Sequence, residues 1–374
     1  MKKICLFISS LHKAGAERVM VQIAEHLAAQ GVEVTLVTQT DDRDAPDSFR
    51  VSDTIRRRFS DLTKEEITKS RLRNFLRRYR KLQKIWEEER PDLILSFIGK
   101  NNVMAIQTAK KTGIPVVAAV RGNPALEYED ALTRKAALSL FPKAAGIVVQ
   151  TKEGRTFFPE SIRKKCVILP NPIEESFCKE KETRDRKKDI VCVGRIDENK
   201  NQRMLLHAFT ELQDEFSDYR LCFYGTGPMM EELQKEAEAS GLKERVLFAG
   251  HRDDIAEAIR DASAFVLPSD TEGMPNALLE AMALELPVIA TDCPCGGPRD
   301  LIEDRKNGLL IPVRDKDALR EALRFVLTHP EEARKMGKEA GRVRDRFAPE
   351  KALKAWSDYL RETADGYGKN TNTD

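Results

Sequence analysis

The chain has 374 residues, more than a single hydrophobic core usually serves, so its length predicts two domains. Although 33% of the residues are charged, the formal net charge is only +2, which excludes a general electrostatic attraction to nucleic acid or to an acidic polymer. No apolar run approaches the ~20 residues of a membrane span, and the seven scattered cysteines favour reduced thiols over a disulfide framework, so we expect a cytoplasmic protein.

Short apolar runs rich in Val and Ile alternate with stretches of helical periodicity, which is typical of a parallel sheet covered by helices. In the first half the predicted strands are KICLFIS, VEVTLVT, DLILSF, PVVAAV, GIVVQ and CVIL. The predicted helices between them include residues 17–30, 101–111 and 151–158. The segment LPNP, residues 169–172, breaks both periodicities because each proline restricts itself and its predecessor, and we expect a hinge there.

Residues 67–86 form a basic, amphipathic segment within this first half. They include eight Lys or Arg and no acid, with Leu72, Phe75, Leu76, Tyr79, Leu82 and Trp86 at helical spacing. Such a helix can lie on an anionic membrane surface, or it can pack its apolar stripe on the sheet and leave its bases in solvent. Both alternatives stay open, and both hold if one face packs while another meets lipid. Aromatic platforms for RNA are not evident in the sequence.

A second series of strands is predicted after the charged residues 179–188, namely DIVCVG, YRLCFYG, RVLFAG, AFVLP, PVIAT and GLLIPV. Helices are predicted at 315–327 and 331–346, with one more after Pro349 that ends near Thr363. The predicted organisation is therefore an α/β chain with two doubly wound, Rossmann-like domains. Its parts are residues 1–172, residues 173–348, a helix at 349–364 that can cross back to the first domain, and a disordered tail at 365–374.

Two doubly wound domains bind ligands in the cleft at the carboxyl ends of their strands, so the loops that follow strands are the candidate sites. Gly15 lies in such a loop, directly before a helix. Gly194 and Arg195 leave a strand and Lys200 precedes the next helix, a pairing that suits a diphosphate and could replace a metal. Gly225, in FYGTGP, allows close backbone approach. Each loop alone is equally well explained as an ordinary turn or a solvated surface.

The stretch TEGMPNALLEAMA, residues 271–283, places Glu272 in a loop, Pro275 at a helix start and Glu280 inside the helix. The backbone N–H groups of Gly273 and Met274 would then face an anion. Each acid also has a structural explanation. Glu272 is a favourable charge at a helix start, and Glu280 can be an exposed helical position.

The segments KAGAE, PNP, VGRIDENKN, FYGTGP, TEGMPNALLEAMA and DLIEDRKNGLLIPV, in this order, resemble the retaining, nucleotide-sugar-dependent glycosyltransferases of family four, which have the two-domain GT-B fold. The resemblance covers most of the chain. It implies that Glu272 faces the transferred sugar, Glu280 holds the ribose hydroxyls, and Arg195 with Lys200 binds the diphosphate. It also implies that the first domain binds the acceptor, the second binds the donor, and neither a metal nor another cofactor takes part.

Two positions depart from the family pattern. Many members have a His near the reacting sugar, where this chain has RGN, and two alternatives stay open: Arg121 or Asn123 substitutes for the His, or the acceptor hydroxyl is handled differently. Glu285 stands where relatives often have Gly, and a left-handed conformation there would cost about 1 kcal/mol. The residues assigned to catalysis are thus Glu272, Arg195, Lys200, Arg121 and Asn123. Those assigned to donor binding are Gly15, Gly194, Arg195, Lys200, Gly225, Gly273, Met274, Pro275, Asn276 and Glu280.

The segments SFIGKNN, RGNP and DCPCGGPRDLI further resemble bacterial transferases that build capsular, O-antigen or lipid-linked glycans. This resemblance implies a UDP-hexose or UDP-N-acetylhexosamine donor, a polyprenyl-diphosphate-linked acceptor and a peripheral location on the inner face of the plasma membrane. Two alternatives stay open, a GT-B-fold sugar-nucleotide epimerase and a non-catalytic sugar-nucleotide-binding scaffold. A glycosidase is disfavoured, because two acids on one loop and its helix need not straddle a glycosidic bond.

Overall fold

The computed structural model describes residues 1–12, 14–46, 48–179 and 186–370. The chain forms two compact units, unit 1 comprising Met1–Pro172 with Glu350–Asp374 and unit 2 comprising Ile173–Pro349. Unit 1 contains a seven-stranded sheet and unit 2 a six-stranded sheet, and the strand pairs of both sheets are parallel. The predicted α/β class with two Rossmann-like domains is confirmed.

The strands of unit 1 are β1 (Lys3–Ile8), β2 (Glu33–Thr38), β3 (Arg56–Phe59), β4 (Leu93–Phe97), β5 (Val116–Ala119), β6 (Gly146–Val149) and β7 (Cys166–Ile168). Their order in the sheet is β3-β2-β1-β4-β5-β6-β7. The helices in this part of the chain are α1 (Gly15–Ala29), α2 (Arg71–Glu89), α3 (Gly99–Ala109), α4 (Pro124–Glu127), α5 (Ala131–Leu140), α6 (Lys152–Thr156) and α7 (Glu160–Arg163), with a 3-10 turn at Phe141–Lys143.

Both faces of this sheet are buried. Along β1, Cys5 and Phe7 pack into one apolar layer, whereas Ile4, Leu6 and Ile8 pack into the other. Since successive side chains of a strand point to opposite faces, a strand buried on both sides has to be apolar at every position. This requirement explains why the strands could be recognised as continuous apolar runs.

The edge strand β3 was missed in the sequence because its residues, RRRF, are basic. It pairs with β2 alone, in a register that sets Thr35 opposite Arg56. The arginines are neutralised by buried carboxylates elsewhere in unit 1, since Arg57 contacts Asp42 at 2.8 Å and Arg58 contacts Glu89 at 2.8 Å. Ion pairs with distant acids thus replace the apolar contacts that stabilise the other strands.

The strands of unit 2 are β8 (Lys187–Val193), β9 (Arg220–Tyr224), β10 (Val246–Gly250), β11 (Ala262–Leu267), β12 (Val288–Thr291) and β13 (Leu309–Ile311). Their order is β10-β9-β8-β11-β12-β13. The helices are α8 (Glu175–Cys178), α9 (Gln202–Glu211), α10 (Met230–Ala239), α11 (Ile255–Ile259), α12 (Asn276–Ala283), α13 (Gly297–Leu301), α14 (Lys316–Thr328), α15 (Pro330–Ala340) and α16 (Val343–Phe347). Because the strands are parallel, the loops after β8 and β11 lie side by side at one edge of the sheet.

Glu285 adopts the left-handed conformation, with φ of 60°. Its carbonyl oxygen accepts a hydrogen bond of 2.7 Å from Arg186, and its carboxylate accepts one of 2.6 Å from Arg344. Helix α15 packs so closely here that a Cβ atom on Gly337 would lie 2.3 Å from the Glu285 carbonyl oxygen. These contacts offset the strain of about 1 kcal/mol that a non-glycine residue carries in this conformation.

The last helix, α17 (Pro349–Asn370), packs in unit 1. Trp356 is fully buried there, 5.8 Å from the ring of Phe97, and its Nε1 donates to the carbonyl oxygen of Pro170 at 2.9 Å. The helix continues through residues 365–370, in place of the disordered tail predicted there, and Asp365 in this last part contacts the N-terminal ammonium of Met1 at 3.3 Å. Residues 371–374 lie outside the described residues. No helix in the described part of the chain is long and apolar enough to span a membrane.

Candidate functional site

The loops that follow β8 and β11 are joined by hydrogen bonds at the carboxyl edge of the unit 2 sheet. The Asp270 N–H donates to the Asn199 carbonyl oxygen at 2.7 Å, and the Asn199 side chain donates to the Thr271 carbonyl oxygen at 3.1 Å. Between these bonds the Lys200 ammonium meets the Glu272 carboxylate at 2.5 Å. Two residues that are 72 positions apart in the sequence thus form one ion pair.

This ion pair is largely shielded from water, since the side chains of Lys200 and Glu272 are 24% and 11% exposed. Burial alone lowers the pKa of the Lys200 ammonium, but the neighbouring Glu272 carboxylate offsets this effect, and the net pKa is raised. Lys200 therefore stays charged at neutral pH. Because both charges are fixed before any ligand arrives, the pair can act on a ligand without further ordering.

Ser269 is part of this site, although sequence reasoning missed it. Its hydroxyl donates to Oε1 of Glu272 at 2.7 Å, the oxygen that also contacts Lys200. The Ser269 side chain is fully buried, and its carbonyl oxygen accepts a bond of 2.5 Å from the Thr291 hydroxyl. A hydroxyl three residues before an acid in the same loop was a signal that could have identified it.

Arg195 is placed differently from Lys200. Its guanidinium is 72% exposed, and its Nε donates to Asp197 at 2.7 Å. Asp197 also accepts the N–H of Lys200 at 3.0 Å. The two predicted cations therefore contact different carboxylates, and the Arg195 side chain is exposed whereas that of Lys200 is mostly buried. Asp197, in the loop after β8, is a further residue of the site that sequence reasoning missed.

Glycines bring the neighbouring loops close together. A Cβ atom on Gly225 would lie 2.1 Å from the Gly194 carbonyl oxygen, so the loops after β8 and β9 touch through their backbones. Gly194 has φ of 153° and lies against the Lys200 side chain, since a Cβ atom there would be 3.6 Å from Cε of Lys200. Larger residues at either position would displace the loop that carries Lys200.

The predicted helix α12 begins at Asn276, with Pro275 as the residue that precedes its first turn. Gly273, Met274 and Pro275 are buried. Glu280 is also buried, with 6% of its surface exposed, so the alternative of an exposed helical position is wrong. Burying a carboxylate inside a helix requires polar partners, which favours a specific role for Glu280 over a solvated one.

The segment that follows β12 packs against the backbone of residues 272–275. The Glu272 N–H donates to the Pro294 carbonyl oxygen at 2.8 Å, and a Cβ atom on Gly297 would lie only 1.6 Å from the Gly273 carbonyl oxygen. We expect Gly297→Ala to lower the free energy of unfolding by about 1–3 kcal/mol, because the added methyl group must displace backbone atoms. Urea unfolding followed by circular dichroism measures the change.

Gly366→Ala is the matched control for that substitution. No described atom lies within 4 Å of a Cβ atom at Gly366, which sits in α17, so alanine there should be neutral or slightly stabilising. Equal stability of the two alanine variants would contradict the close packing of Gly297 on Gly273.

In unit 1, Arg121 follows β5 and is buried, with 9% of its surface exposed. Its Nη2 donates to Asn171 at 2.6 Å, and its guanidinium lies 4.5 Å from the centre of the Phe97 ring. Burial lowers the pKa of Arg121 to about 10, which still leaves it charged at neutral pH. Asn123 caps α4 by accepting the Ala125 N–H at 3.0 Å. Both residues thus have structural contacts, and their predicted role at the reacting sugar stays a prediction.

Glu127 organises the same loop and was not found in the sequence. Its carboxylate accepts the N–H groups of Gly99 at 2.9 Å, Arg121 at 2.7 Å and Gly122 at 2.6 Å. Gly15 is exposed at the first position of α1, and residue 13, in the loop before it, lies outside the described residues. The structure therefore brings together Lys200, Glu272 and the loop glycines Gly194 and Gly225 in unit 2, and separately places Gly15, Arg121 and Asn123 in unit 1.

Within the described residues, no three His, Cys, Asp or Glu side chains are grouped so that they could hold a metal ion. The loops at the carboxyl edge of the unit 2 sheet carry both cations and carboxylates, among them Arg195, Lys200 and Glu272, and also Arg314, which contacts Asp270 at 2.6 Å. Cations beside a carboxylate can bind an anionic ligand and also orient a polar group attached to it.

Both halves of the chain match known protein families. The family described as "Glycosyltransferase Family 4" matches residues 14–177, and that described as "Glycosyl transferases group 1" matches residues 174–343. A glycosyltransferase of Methanocaldococcus jannaschii is 30% identical over an alignment 251 residues long, which covers 61% of this chain and 62% of that relative. This chain therefore spans less than two thirds of that relative's length.

A relative that matches over a longer span is an alpha-1,4-N-acetyl-D-galactosaminyltransferase of Campylobacter jejuni, whose name specifies a glycan linked to PP-undecaprenol. It is 26% identical over 332 residues, covering 87% of this chain and 89% of the relative. Among solved structures, Anabaena HepE in complex with UDP superposes with a TM-score of 0.80, at 17% identity, covering 97% of this chain and 100% of that one. At this identity the superposition supports the fold alone.

Proposed function

Because the chain belongs to glycosyltransferase family 4 and has the GT-B fold, we propose that it transfers a hexose or N-acetylhexosamine from a UDP-sugar to a lipid-linked or polysaccharide acceptor. The reaction we propose retains the anomeric configuration and needs no divalent metal. The observation that carries the proposal is the buried Lys200–Glu272 ion pair at the carboxyl edge of the unit 2 sheet.

Charge develops on the diphosphate as the bond between sugar and phosphate breaks. Lys200 would neutralise this charge from a position that Glu272 and the fold already fix, and Arg195, which is exposed, can swing toward the diphosphate. The N–H groups of Gly273 and Met274 would add to this stabilisation beside the start of α12. Together these groups supply the positive charge that a metal ion provides in other transferases.

Glu272 would orient the sugar and stabilise positive charge on its ring as the leaving group departs. Its Oε1 is held by Lys200 and Ser269, so the direction of the carboxylate is fixed before the donor binds. Glu280, buried in α12, would accept hydrogen bonds from the ribose hydroxyls. In the retaining reaction the acceptor hydroxyl attacks from the face that the diphosphate leaves.

The choice of UDP is supported by the Anabaena structure, which contains UDP. The choice of a lipid-linked acceptor is supported by the Campylobacter relative, whose name specifies one. We propose that unit 1 binds this acceptor, with Arg121 or Asn123 near the reacting sugar, and unit 2 binds the donor. A lipid-linked acceptor would place the protein in the cytoplasm, at the inner face of a bacterial plasma membrane, in the synthesis of capsule, O-antigen or a related surface glycan.

A panel of UDP-, GDP- and ADP-sugars, each incubated with the protein in the presence of EDTA, tests this function. We expect one UDP-sugar to bind and to be hydrolysed slowly without acceptor, and Glu272→Gln to retain binding of UDP while losing turnover. Recovery of an epimerised nucleotide sugar would favour the epimerase instead. Binding without any turnover, in the presence of a polyprenyl-diphosphate-linked acceptor as well, would favour a scaffold.

A further inference from the structure

Helix α2 is held in unit 1 by its C-terminal half. Leu82, Ile85 and Trp86 are buried, and Nε1 of Trp86 donates to the Thr108 hydroxyl at 2.9 Å. The ring of Trp86 also packs on Phe7 of β1, with ring centres 6.1 Å apart. The apolar side chains of this half are thus buried in the core of unit 1, as expected for a helix that covers a sheet.

The N-terminal half of the same helix, with the residues that precede it, leaves its apolar side chains in solvent. The exposed fractions are 52% for Ile67, 69% for Leu72, 49% for Phe75 and 44% for Leu76. Leu72, Phe75 and Leu76 are spaced by three and four residues and therefore share one face. Ser70 caps the helix by accepting the Arg73 N–H at 3.3 Å, so this face is already formed in the free protein.

The eight bases of residues 67–86 divide into two groups. Four are engaged inside unit 1, since Arg77 contacts the Glu66 carbonyl oxygen, Arg78 contacts Asp61, Lys81 contacts Glu66, and Lys84 contacts Glu88. The side chains of the other four are exposed and have no hydrogen-bond or ion-pair partner among the described residues, namely those of Lys69, Arg71, Arg73 and Arg80. These four surround the exposed apolar side chains in the sequence.

We propose that residues 67–80 form a surface that binds the anionic face of a phospholipid bilayer, with Leu72, Phe75 and Leu76 inserted among the acyl chains. Four unpaired bases complement the anionic headgroups, and the apolar side chains gain free energy only in a partner with an apolar interior. A nucleic acid would satisfy the bases but would leave the leucines exposed. In a symmetric dimer the same bases would face one another and repel.

The structure separates the bases that stabilise the fold from those that can bind lipid, which the sequence alone does not do. The side chains of Arg77, Arg78, Lys81 and Lys84 are paired within unit 1, so only the four unpaired bases are available to lipid. An unpaired base near an anionic surface contributes about a factor of five to membrane partitioning. The inference rests on the proposed function, because the proposed lipid-linked acceptor lies in the membrane that this surface would bind. Its test measures binding and not transfer, so each can fail without the other.

Sedimentation with vesicles tests the surface, using phosphatidylglycerol mixed with phosphatidylcholine against pure phosphatidylcholine and no added donor. We expect the wild-type protein to sediment with the anionic vesicles and to be released by salt. The double variant R71E/R73E should partition at least roughly tenfold more weakly. Acids in the first turn of a helix are favourable, so this variant should fold.

The matched control is K335E/K338E, which makes the same charge change at two exposed lysines of α15 in unit 2. It should partition nearly as wild type does. A second variant, L72S/F75S, keeps every base and should also lose vesicle binding. Failure of the wild type to bind anionic vesicles would overturn the proposal. So would equal binding of R71E/R73E and K335E/K338E, or retention of an RNA oligonucleotide in preference to the vesicles.

Discussion

Lys200→Ala is expected to lower kcat/KM for sugar transfer by about a hundred- to a thousandfold, the range found when one preorganised group that stabilises transition-state charge is removed. Two effects add. The diphosphate loses a fixed positive charge, and the Glu272 carboxylate, 11% exposed, loses its counter-ion and repels the incoming diphosphate. UDP affinity should therefore fall together with kcat, as measured by calorimetry and by initial rates with the donor identified from the panel.

Lys188→Ala is the control for this prediction. Lys188 also lies in unit 2 and contacts a carboxylate, that of Asp218, but both side chains are more than half exposed. Its removal should leave UDP affinity and the transfer rate unchanged, because exposed ion pairs contribute little. If Lys200→Ala behaves like Lys188→Ala, Lys200 does not contact the donor and the proposed site is wrong.

Glu89→Ala is expected to lower the free energy of unfolding by about 3–5 kcal/mol, the usual cost of removing one partner from a buried ionic cluster. The Glu89 carboxylate is almost fully buried at the end of α2. It contacts Arg56 at 2.9 Å, Arg58 at 2.8 Å and Lys3 at 3.2 Å. Without this carboxylate, the positive charges of Arg56 and Arg58 in β3 lose their shared counter-ion and repel each other at the edge of the unit 1 sheet. Urea unfolding measures the loss.

The neighbouring residue provides the control. Glu88 contacts Arg58 and Lys84, but its side chain is 41% exposed, so Glu88→Ala should leave the free energy of unfolding nearly unchanged. Equal effects of the two substitutions would contradict the view that Glu89 anchors the edge strand.

The same cluster predicts a sensitivity to acid. Burial alone would raise the pKa of the Glu89 carboxyl group, but hydrogen bonds from Lys3 and Thr35 outweigh it, and the net pKa lies below 4.5. A carboxyl group whose pKa is lowered by folding stabilises the protein fully above its unfolded pKa, and that stabilisation is lost as the pH falls through the folded pKa. The difference in unfolding free energy between wild type and Glu89→Ala should therefore be largest at neutral pH and shrink as the pH falls below about 4.5.

The fold was predictable where local sequence determines it and missed where distant charges do. Runs such as KICLFIS mark buried parallel strands because every position contacts an apolar layer. Arg56–Phe59 could not be recognised in this way, since β3 depends on Asp42 and on Glu89 at the end of α2. The length of α17 was underestimated because the residues after Ala364 are polar or Gly and show no apolar periodicity, and the contact of Asp365 with the Met1 ammonium joins residues at opposite ends of the sequence.

The candidate site was predictable residue by residue but not as an arrangement. Motif spacing singles out Lys200 and Glu272, yet their contact requires β8 and β11 to be neighbours in the sheet, and strand order is not encoded in any single stretch. The burial of Glu280 also depends on how α12 packs, which helical periodicity alone left open. Ser269 and Asp197 take part in the site through hydrogen bonds within their own loops, to Glu272 and to the Lys200 N–H, and these bonds depend on the loop conformation.

The position of Trp356 has a consequence for synthesis of the protein. Trp356 and Leu360 of α17 complete the core of unit 1, although the rest of the buried residues in that core lie before residue 173. Domains commonly fold in the order in which they leave the ribosome. Here the half that is translated second is contiguous and can close first, while the half that is translated first has to wait, with part of its apolar surface open to chaperones, until α17 emerges.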